Sequence, residues 1–116
     1  MRVAARPVRL APPPKYRNRP TTVDGIRFAS ALEARQWGRL RLLALAGRVV
    51  QIERQPRFPL VVNGYPVGTY VADFRVTYAD GTVAVQDCKG VRTPLYRLKR
   101  KLVRALYGFE LVEVTA

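Results

Sequence analysis

Three acids and one lysine are the residues of this chain best suited to chemistry: Glu33, Asp73, Asp87 and Lys89. The chain has only 8 acidic residues against 21 basic ones, so two aspartates inside apolar, strand-like sequence stand out. Hard divalent cations such as Mg²⁺ or Mn²⁺ take oxygen ligands, often one or two carboxylates plus water and a substrate phosphate. One or two such ions can polarise a phosphodiester, activate a water and stabilise the leaving oxygen. A lysine two residues from a carboxylate on one strand face can hold that water or offset charge developing on phosphorus. The sequence contains no histidine. That rules out His-based zinc sites, Ser-His-Asp triads and Cys-His dyads, and leaves carboxylates, lysine, tyrosine or metal ions.

The stretch Tyr70–Val91 must position this set. Val, Thr, Tyr and Phe dominate two arms separated by Ala79-Asp80-Gly81, which reads as two β-strands and a tight turn. Asp73 falls on the first arm, and Asp87 and Lys89 share a face near the end of the second. A two-residue Asp80-Gly81 loop would put Asp73 and Asp87 on opposite faces. A three-residue loop with Gly81 left-handed in a bulge pairs Tyr78 with Thr82 and sets Asp73 opposite Asp87. Like charges placed so are destabilising unless a cation sits between them. The three-residue loop is the expectation taken forward.

Glu33 belongs to a helix expected from Ser30 to about Ala46. Ser30-Ala31-Leu32-Glu33 matches a capping box, and Gly47 is a natural stop. Glu33 aligns with Trp37, Leu40 and Ala44 at helical spacing, so it heads the face that should be buried. Two readings stay open. Glu33 caps its own helix, or it points into the sheet that carries the aspartates.

Around these segments, Val23-Asp24-Gly25-Ile26 reads as a hairpin turn and Asn63-Gly64 as another. Val49–Glu53 and Phe58–Val62 read as strands, broken at Gln55-Pro56. Thr93-Pro94 opens a second helix that runs to about Tyr107 and stops at Gly108, with Leu95, Leu98, Leu102 and Leu106 as its apolar line. Lys99 falls inside that line, either snorkelling or facing the carboxylates. Arg97, Arg100, Lys101 and Arg104 take the outer faces. Phe109–Val114 is a last strand. The expected fold is α/β (α+β): a small mixed central β-sheet flanked by two main helices.

A chain of 116 residues suits one domain. Residues 1–20 read as a basic, Pro-rich arm, either a solubilising tail or one that drapes on a phosphate backbone through Lys15 and Arg17, and residues 21–116 as the domain. A net charge of +13 points to a polyanion, nucleic acid ahead of an anionic membrane. The N-terminus lacks the apolar core of a signal peptide, and Cys88 is the lone cysteine, so the expected compartment is the cytoplasm.

Asp73, then Asp87-Cys88-Lys89 on the next strand, resembles the core signature of the PD-(D/E)XK nuclease superfamily. Glu33 resembles the additional helix-borne glutamate of many members. Across roughly residues 15 to 114 the chain is also similar to a family of short phage and prophage proteins of mostly unassigned function, related to the phage Holliday-junction resolvase endonuclease I. The similar parts are Val23–Phe28, Ser30 with Glu33, Gln55-Pro56, Ala72-Asp73-Phe74, Asp87–Gly90, and Tyr96 with Lys99. The resemblance implies a restriction-endonuclease-like core and a Mg²⁺- or Mn²⁺-dependent endonuclease acting on DNA, branched DNA included, inside a bacterial host. Glu33, Asp73 and Asp87 would bind metal and Lys89 would assist the water. Lys99, Arg92, Arg97, Arg100 and Lys101 would grip phosphates, and a homodimer would suit paired cuts. Members often carry an acid where this chain has Gln86. Alternation sends Gln86 to the face opposite Asp87, so the site is expected to survive.

Overall fold

Left-handed Asp-Gly and Asn-Gly pairs close the two tightest hairpins of the domain. The computed structural model describes residues 19–115; the arm up to residue 18, with Lys15 and Arg17, lies outside the described residues. Strand β1 (Thr21–Val23) turns through Asp24-Gly25 into β2 (Ile26–Phe28), and both turn residues have positive φ, 53° and 75°. That is the backbone a two-residue hairpin needs. Ser30 then caps α1 (Ala31–Leu45), its side chain accepting from the Glu33 N–H, and Gly47 follows the helix end at φ 78°.

Next come β3 (Val49–Arg54), β4 (Arg57–Val62), β5 (Tyr65–Val71) and β6 (Phe74–Tyr78). β3 pairs with β6 and β4 with β5 in one continuing register, since Arg54 faces Phe74 and Arg57 faces Val71. The four strands are therefore one long antiparallel ribbon bent in the middle. Gln55, at φ 53°, and Pro56 bend one arm; Ala72 and Asp73 bend the other. Hydrogen bonding persists through the bend, from Gln55 N–H to the Asp73 carbonyl (2.9 Å) and from Ala72 N–H to the Pro56 carbonyl (3.1 Å). The β4–β5 half leaves the sheet as a two-stranded wing. The β3–β6 half joins β7 (Val83–Cys88) and β8 (Val112–Val114) in a four-stranded sheet of order β3-β6-β7-β8.

The fold is mixed α+β, in line with the expectation. β6 and β7 run antiparallel, joined by the three-residue loop: Tyr78 N–H donates to the Thr82 carbonyl (2.8 Å) and Gly81 is left-handed at φ 90°. β8 runs parallel to β7 after the crossover through α2 (Pro94–Tyr107). The first arm does not run unbroken from Tyr70, however. Tyr70 and Val71 belong to the wing, and Asp73 sits in the bend between β5 and β6, not within a strand.

Each face of the sheet carries one helix. Trp37 and Leu40 of α1 pack with Phe28, Val49, Phe74 and Val76, and the Trp37 ring stacks on Phe74 with centroids 6.3 Å apart. On the other face Tyr96 and Val103 of α2 pack with Phe58, Leu60, Tyr70, Val85 and Leu111. This corrects the expected apolar line of α2. Leu95 and Leu98 are 61% and 55% exposed, Leu106 is exposed too, and Leu102 is only partly buried. The helix is rotated so that Tyr96 and Arg100 reach Glu113 on β8 while Lys99 bonds the Thr69 carbonyl of β5. Those polar anchors outweigh the leucine periodicity. Truncating Val103 to Ala is therefore expected to cost about 2 kcal/mol. Leu98→Ala should change stability by less than about 0.5 kcal/mol, as surface substitutions do. Urea melts of the two variants check this contrast.

Candidate functional site

The bend in the ribbon is what places Asp73. Its N–H donates to the Gln86 carbonyl (3.1 Å), and its Oδ2 accepts from the Cys88 N–H (2.7 Å). The carboxylate is thus fastened to the backbone of β7 beside Asp87. Continuing the register from the Phe74–Gln86 pair sets Asp73 opposite Asp87, as the three-residue loop requires.

Along β7, side chains alternate. Gln86 turns towards α1, where Gln36 Nε2 donates to its Oε1 (2.9 Å) and it reaches the Tyr78 hydroxyl (3.4 Å). Asp87 turns the other way, so Gln86 stays clear of the acids, as expected from alternation. Lys89 shares the Asp87 face, with Nζ 3.5 Å from Asp87 Oδ1. Asp87 is 1% exposed, so its pairing with Lys89 is not a strand-surface ion pair of the weak, solvated kind. Its Oδ2 is buried and has no hydrogen-bond partner among the described residues. Arg75, two residues on from Asp73, pairs instead with Glu53 across β3 and β6 (3.0 Å).

Ser30 takes the Glu33 N–H, and the Glu33 carboxyl lies near enough to Asp73 for that charge to act on it, which favours the reading in which it points towards the sheet. So the helix-borne acid meets the bend, the bend meets β7, and Asp87 meets Lys89. The set is not a closed cage. Among the described residues no three His, Cys, Asp or Glu side chains gather as a ready metal-ligand group.

Electrostatics mark the same place. Burial, with the charge of Asp73 second, pushes the Glu33 carboxyl up to about 7. Burial pushes Asp87 up to about 6, against the pull of Lys89, and also raises Asp73, against the Cys88 N–H and Lys89. Each of these carboxylates is therefore costly to ionise without an added cation. Burial, reinforced by the surrounding acids, raises the Cys88 thiol to about 12, which leaves it unreactive at neutral pH.

Three contributors escape a reading of the sequence. Glu113 lies beside Asp87 in the parallel β7–β8 register. Its carboxylate accepts from Arg92 (2.6 Å), Arg100 (2.7 Å) and the Tyr96 hydroxyl (2.7 Å). The rule that singles out Asp73 and Asp87, an acid within an apolar strand of an acid-poor chain, would have found it. Tyr96 is the second, since its ring lies 4.4 Å from Lys89 Nζ. The third is Arg54, whose guanidinium lies 4.9 Å over the Phe28 ring and whose charge favours the ionised forms of Glu33 and Asp73. Nothing in the local sequence distinguishes that arginine from others.

The cations expected to grip phosphate divide. Arg92, Arg97, Arg100, Lys101 and Arg104 line an open groove of about 610 Å³ along α2, with Glu110 inside it. A second groove of about 360 Å³ is lined by Lys89, Gly90, Arg92 and Arg97. The shared arginines join the two, so positive charge runs from Lys89 along the helix. Lys99 is not part of it and does not face the carboxylates; its Nζ donates to the Thr69 carbonyl (3.2 Å). Arg92 and Arg100 are engaged by Glu113, and Arg100 and Arg104 by Glu110.

The Arg92 hydrogen bond, followed by those to Tyr96 and the nearby arginine charges, holds the Glu113 carboxyl down at about 2. A folded pKa below the unfolded one stabilises above the unfolded value, 4.5, and that contribution disappears as pH falls towards 2. Glu113→Gln is expected to flatten the loss of stability between pH 5 and pH 2, measured by urea melts across that range.

A family model matches residues 13–114, and that family is described as a protein of unknown function (DUF1064). No curated protein and no solved structure matches the chain.

Proposed function

The chain belongs to the DUF1064 family, and we propose that it is a divalent-cation-dependent endonuclease that hydrolyses phosphodiester bonds in DNA, branched DNA included. The observation that carries this reading is the Asp87 carboxylate: nearly fully buried, one oxygen on Lys89, the other without a partner among the described residues. An orphaned carboxylate oxygen on Asp87, with Asp73 opposite it in the continued register and the Asp73 and Glu33 carboxyls raised as well, is an uncompensated cost, and a hard divalent cation is the partner whose chemistry fits all-oxygen donors. Asp87, Asp73 and Glu33 would hold Mg²⁺ or Mn²⁺. Such an ion supplies Lewis acidity to phosphoryl oxygens and makes hydroxide accessible near neutral pH.

The remaining roles fall to the chain's own groups. Lys89, partly exposed and aimed at Asp87, would orient water or offset negative charge developing on phosphorus. Arg97 and Lys101, with Arg92, Arg100 and Arg104 once drawn from their carboxylates, would hold the phosphate backbone in the groove along α2. The test is a cleavage assay on branched, duplex and single-stranded DNA with and without Mg²⁺. Cutting that needs the metal supports the proposal; no cutting of any substrate ends it. Lys89→Met is expected to lower the rate about a hundred-fold, as loss of one charge-stabilising donor does.

A second reading has its own support. The acids are not gathered into a finished ligand group, whereas the basic groove is open along its length. On that reading the protein is a non-catalytic nucleic-acid-binding module. Mn²⁺ titration separates the two: an enzyme binds the ion and loses it on Asp73→Asn, and a pure binder is indifferent.

A further inference from the structure

Lysine reaches its target on a flexible four-carbon stem, so a lysine that must act in one direction needs something to hold it. Lys89 is held on two sides. Its Nζ lies 3.5 Å from Asp87 Oδ1 and 4.4 Å from the centroid of the Tyr96 ring. An ammonium over an aromatic face is attracted by the ring quadrupole, and only one small region satisfies both contacts.

The ring is itself fixed. Tyr96 is buried in the first turn of α2, where its N–H is capped by the Thr93 hydroxyl (3.1 Å). At the far end its hydroxyl donates to Glu113 Oε2 (2.7 Å), and Glu113 is gripped by Arg92 and Arg100. A residue needed only to fill the core could be any large apolar side chain. This one presents a π face to the ammonium and a hydroxyl to the Glu113 carboxylate.

We propose that Tyr96 is the positioning residue for Lys89, its ring face setting the direction of the ammonium and its hydroxyl anchored on Glu113. The inference rests on the reading that Lys89 assists phosphodiester hydrolysis. It adds a link: Arg92 and Arg100 line the phosphate groove and also hold the carboxylate that anchors the ring.

The experiment uses the full chain, whose lysines are Lys15, Lys89, Lys99 and Lys101 only. Reductive methylation with ¹³C-formaldehyde keeps the charge and labels each lysine, and Lys89→Arg assigns the Lys89 signal. The Lys89 methyl resonance is expected upfield of the other lysines by ring current, with cross-peaks to Tyr96 ring protons. It should stay there in Tyr96→Phe and move to the position of an exposed lysine in Tyr96→Leu. In the cleavage assay Tyr96→Leu should lower kcat about ten- to a hundred-fold with KM unchanged, and Tyr96→Phe, which keeps the ring but loses its anchor on Glu113, should lower it only about two- to five-fold. A wild-type Lys89 signal without an upfield shift or cross-peaks overturns the proposal even if Tyr96→Leu does not fold. So does a signal that Tyr96→Leu leaves unmoved, or equal kcat in the two variants. If the parent cuts no DNA, the nuclease reading fails by itself, and the resonance still decides whether the ring holds the lysine.

Discussion

On the proposed endonuclease reading, Asp87→Asn is expected to slow metal-dependent cleavage about a thousand-fold and yet raise the melting temperature of the metal-free protein at pH 8. The first effect follows from losing a ligand whose contribution to transition-state charge stabilisation is several kcal/mol, at about 1.4 kcal/mol for each factor of ten. The second follows from burial. Asp87 is 1% exposed, and its folded pKa is raised from 3.8 to about 6. A carboxyl raised on folding stabilises fully below its unfolded pKa, and that contribution is lost as pH rises through the folded value. At pH 8 the ionised group therefore costs up to roughly 3 kcal/mol. Asparagine carries no charge to desolvate. Part of the gain is offset because Lys89 loses its partner, so the expected net rise in melting temperature is several degrees. Binding of uncut DNA should persist or tighten, since a negative charge has been removed from the site. Single-turnover cleavage with Mg²⁺ and thermal melts in chelator read the two effects separately. Cleavage at the parent rate would remove Asp87 from the chemistry, and a lower melting temperature would show that its charge stabilises the fold.

Affinity for Mn²⁺ should climb about a thousand-fold between pH 5 and pH 8. A hard cation competes with protons for the same oxygens. At pH 5 the Glu33 carboxyl, raised to about 7, is protonated nearly a hundred times more often than not, and that of Asp87, at about 6, about ten times. Both penalties vanish by pH 8. The sign is opposite for the metal-free fold: the raised carboxyls, Asp87 and Glu33 with Asp73 acting in the same direction, make it lose stability as pH climbs from about 4 to 7, while depressed Glu113 makes it lose stability below about 4.5. Apo stability should therefore peak near about pH 4, well below the range in which the metal binds tightly. Calorimetric titration with Mn²⁺ at several pH values, beside melts in chelator, tests both trends. A pH-independent affinity would mean that these carboxyls do not hold the ion.

Much of the site's placement could be read before the fold was known. Asp80-Gly81 is preceded by Ala79 in a loop of three, and the left-handed glycine with the Tyr78–Thr82 hydrogen bond delivers the register that sets Asp73 opposite Asp87. Ser30, Gly47, Thr93, Pro94 and Gly108 delimit both helices from local chemistry alone. What local chemistry could not supply was the bend at Asp73. Gln55-Pro56 announces an interruption in one arm, but only pairing of that arm with the other shows that Ala72 and Asp73 must bend with it. Nor could leucine spacing reveal the rotation of α2, because Tyr96, Lys99 and Arg100 answer to groups on β5 and β8 that are distant in sequence.

The sequence by itself determined which chemistry is open to this protein. A histidine-free, strongly basic chain with acids set into apolar segments offers carboxylates and ammonium groups for chemistry and a net charge that favours polyanions, because residue identity alone decides those properties. It also determined where the helices and turns begin and end, since caps and left-handed residues act within a few positions. Only the tertiary structure decided that the Glu33 carboxyl comes near Asp73, that Asp87 is buried with one oxygen unpartnered among the described residues, and that Lys89 lies against Tyr96. Each of those outcomes depends on the desolvation and hydrogen bonding of groups brought together from separate elements, and such energies exist only once the chain has folded.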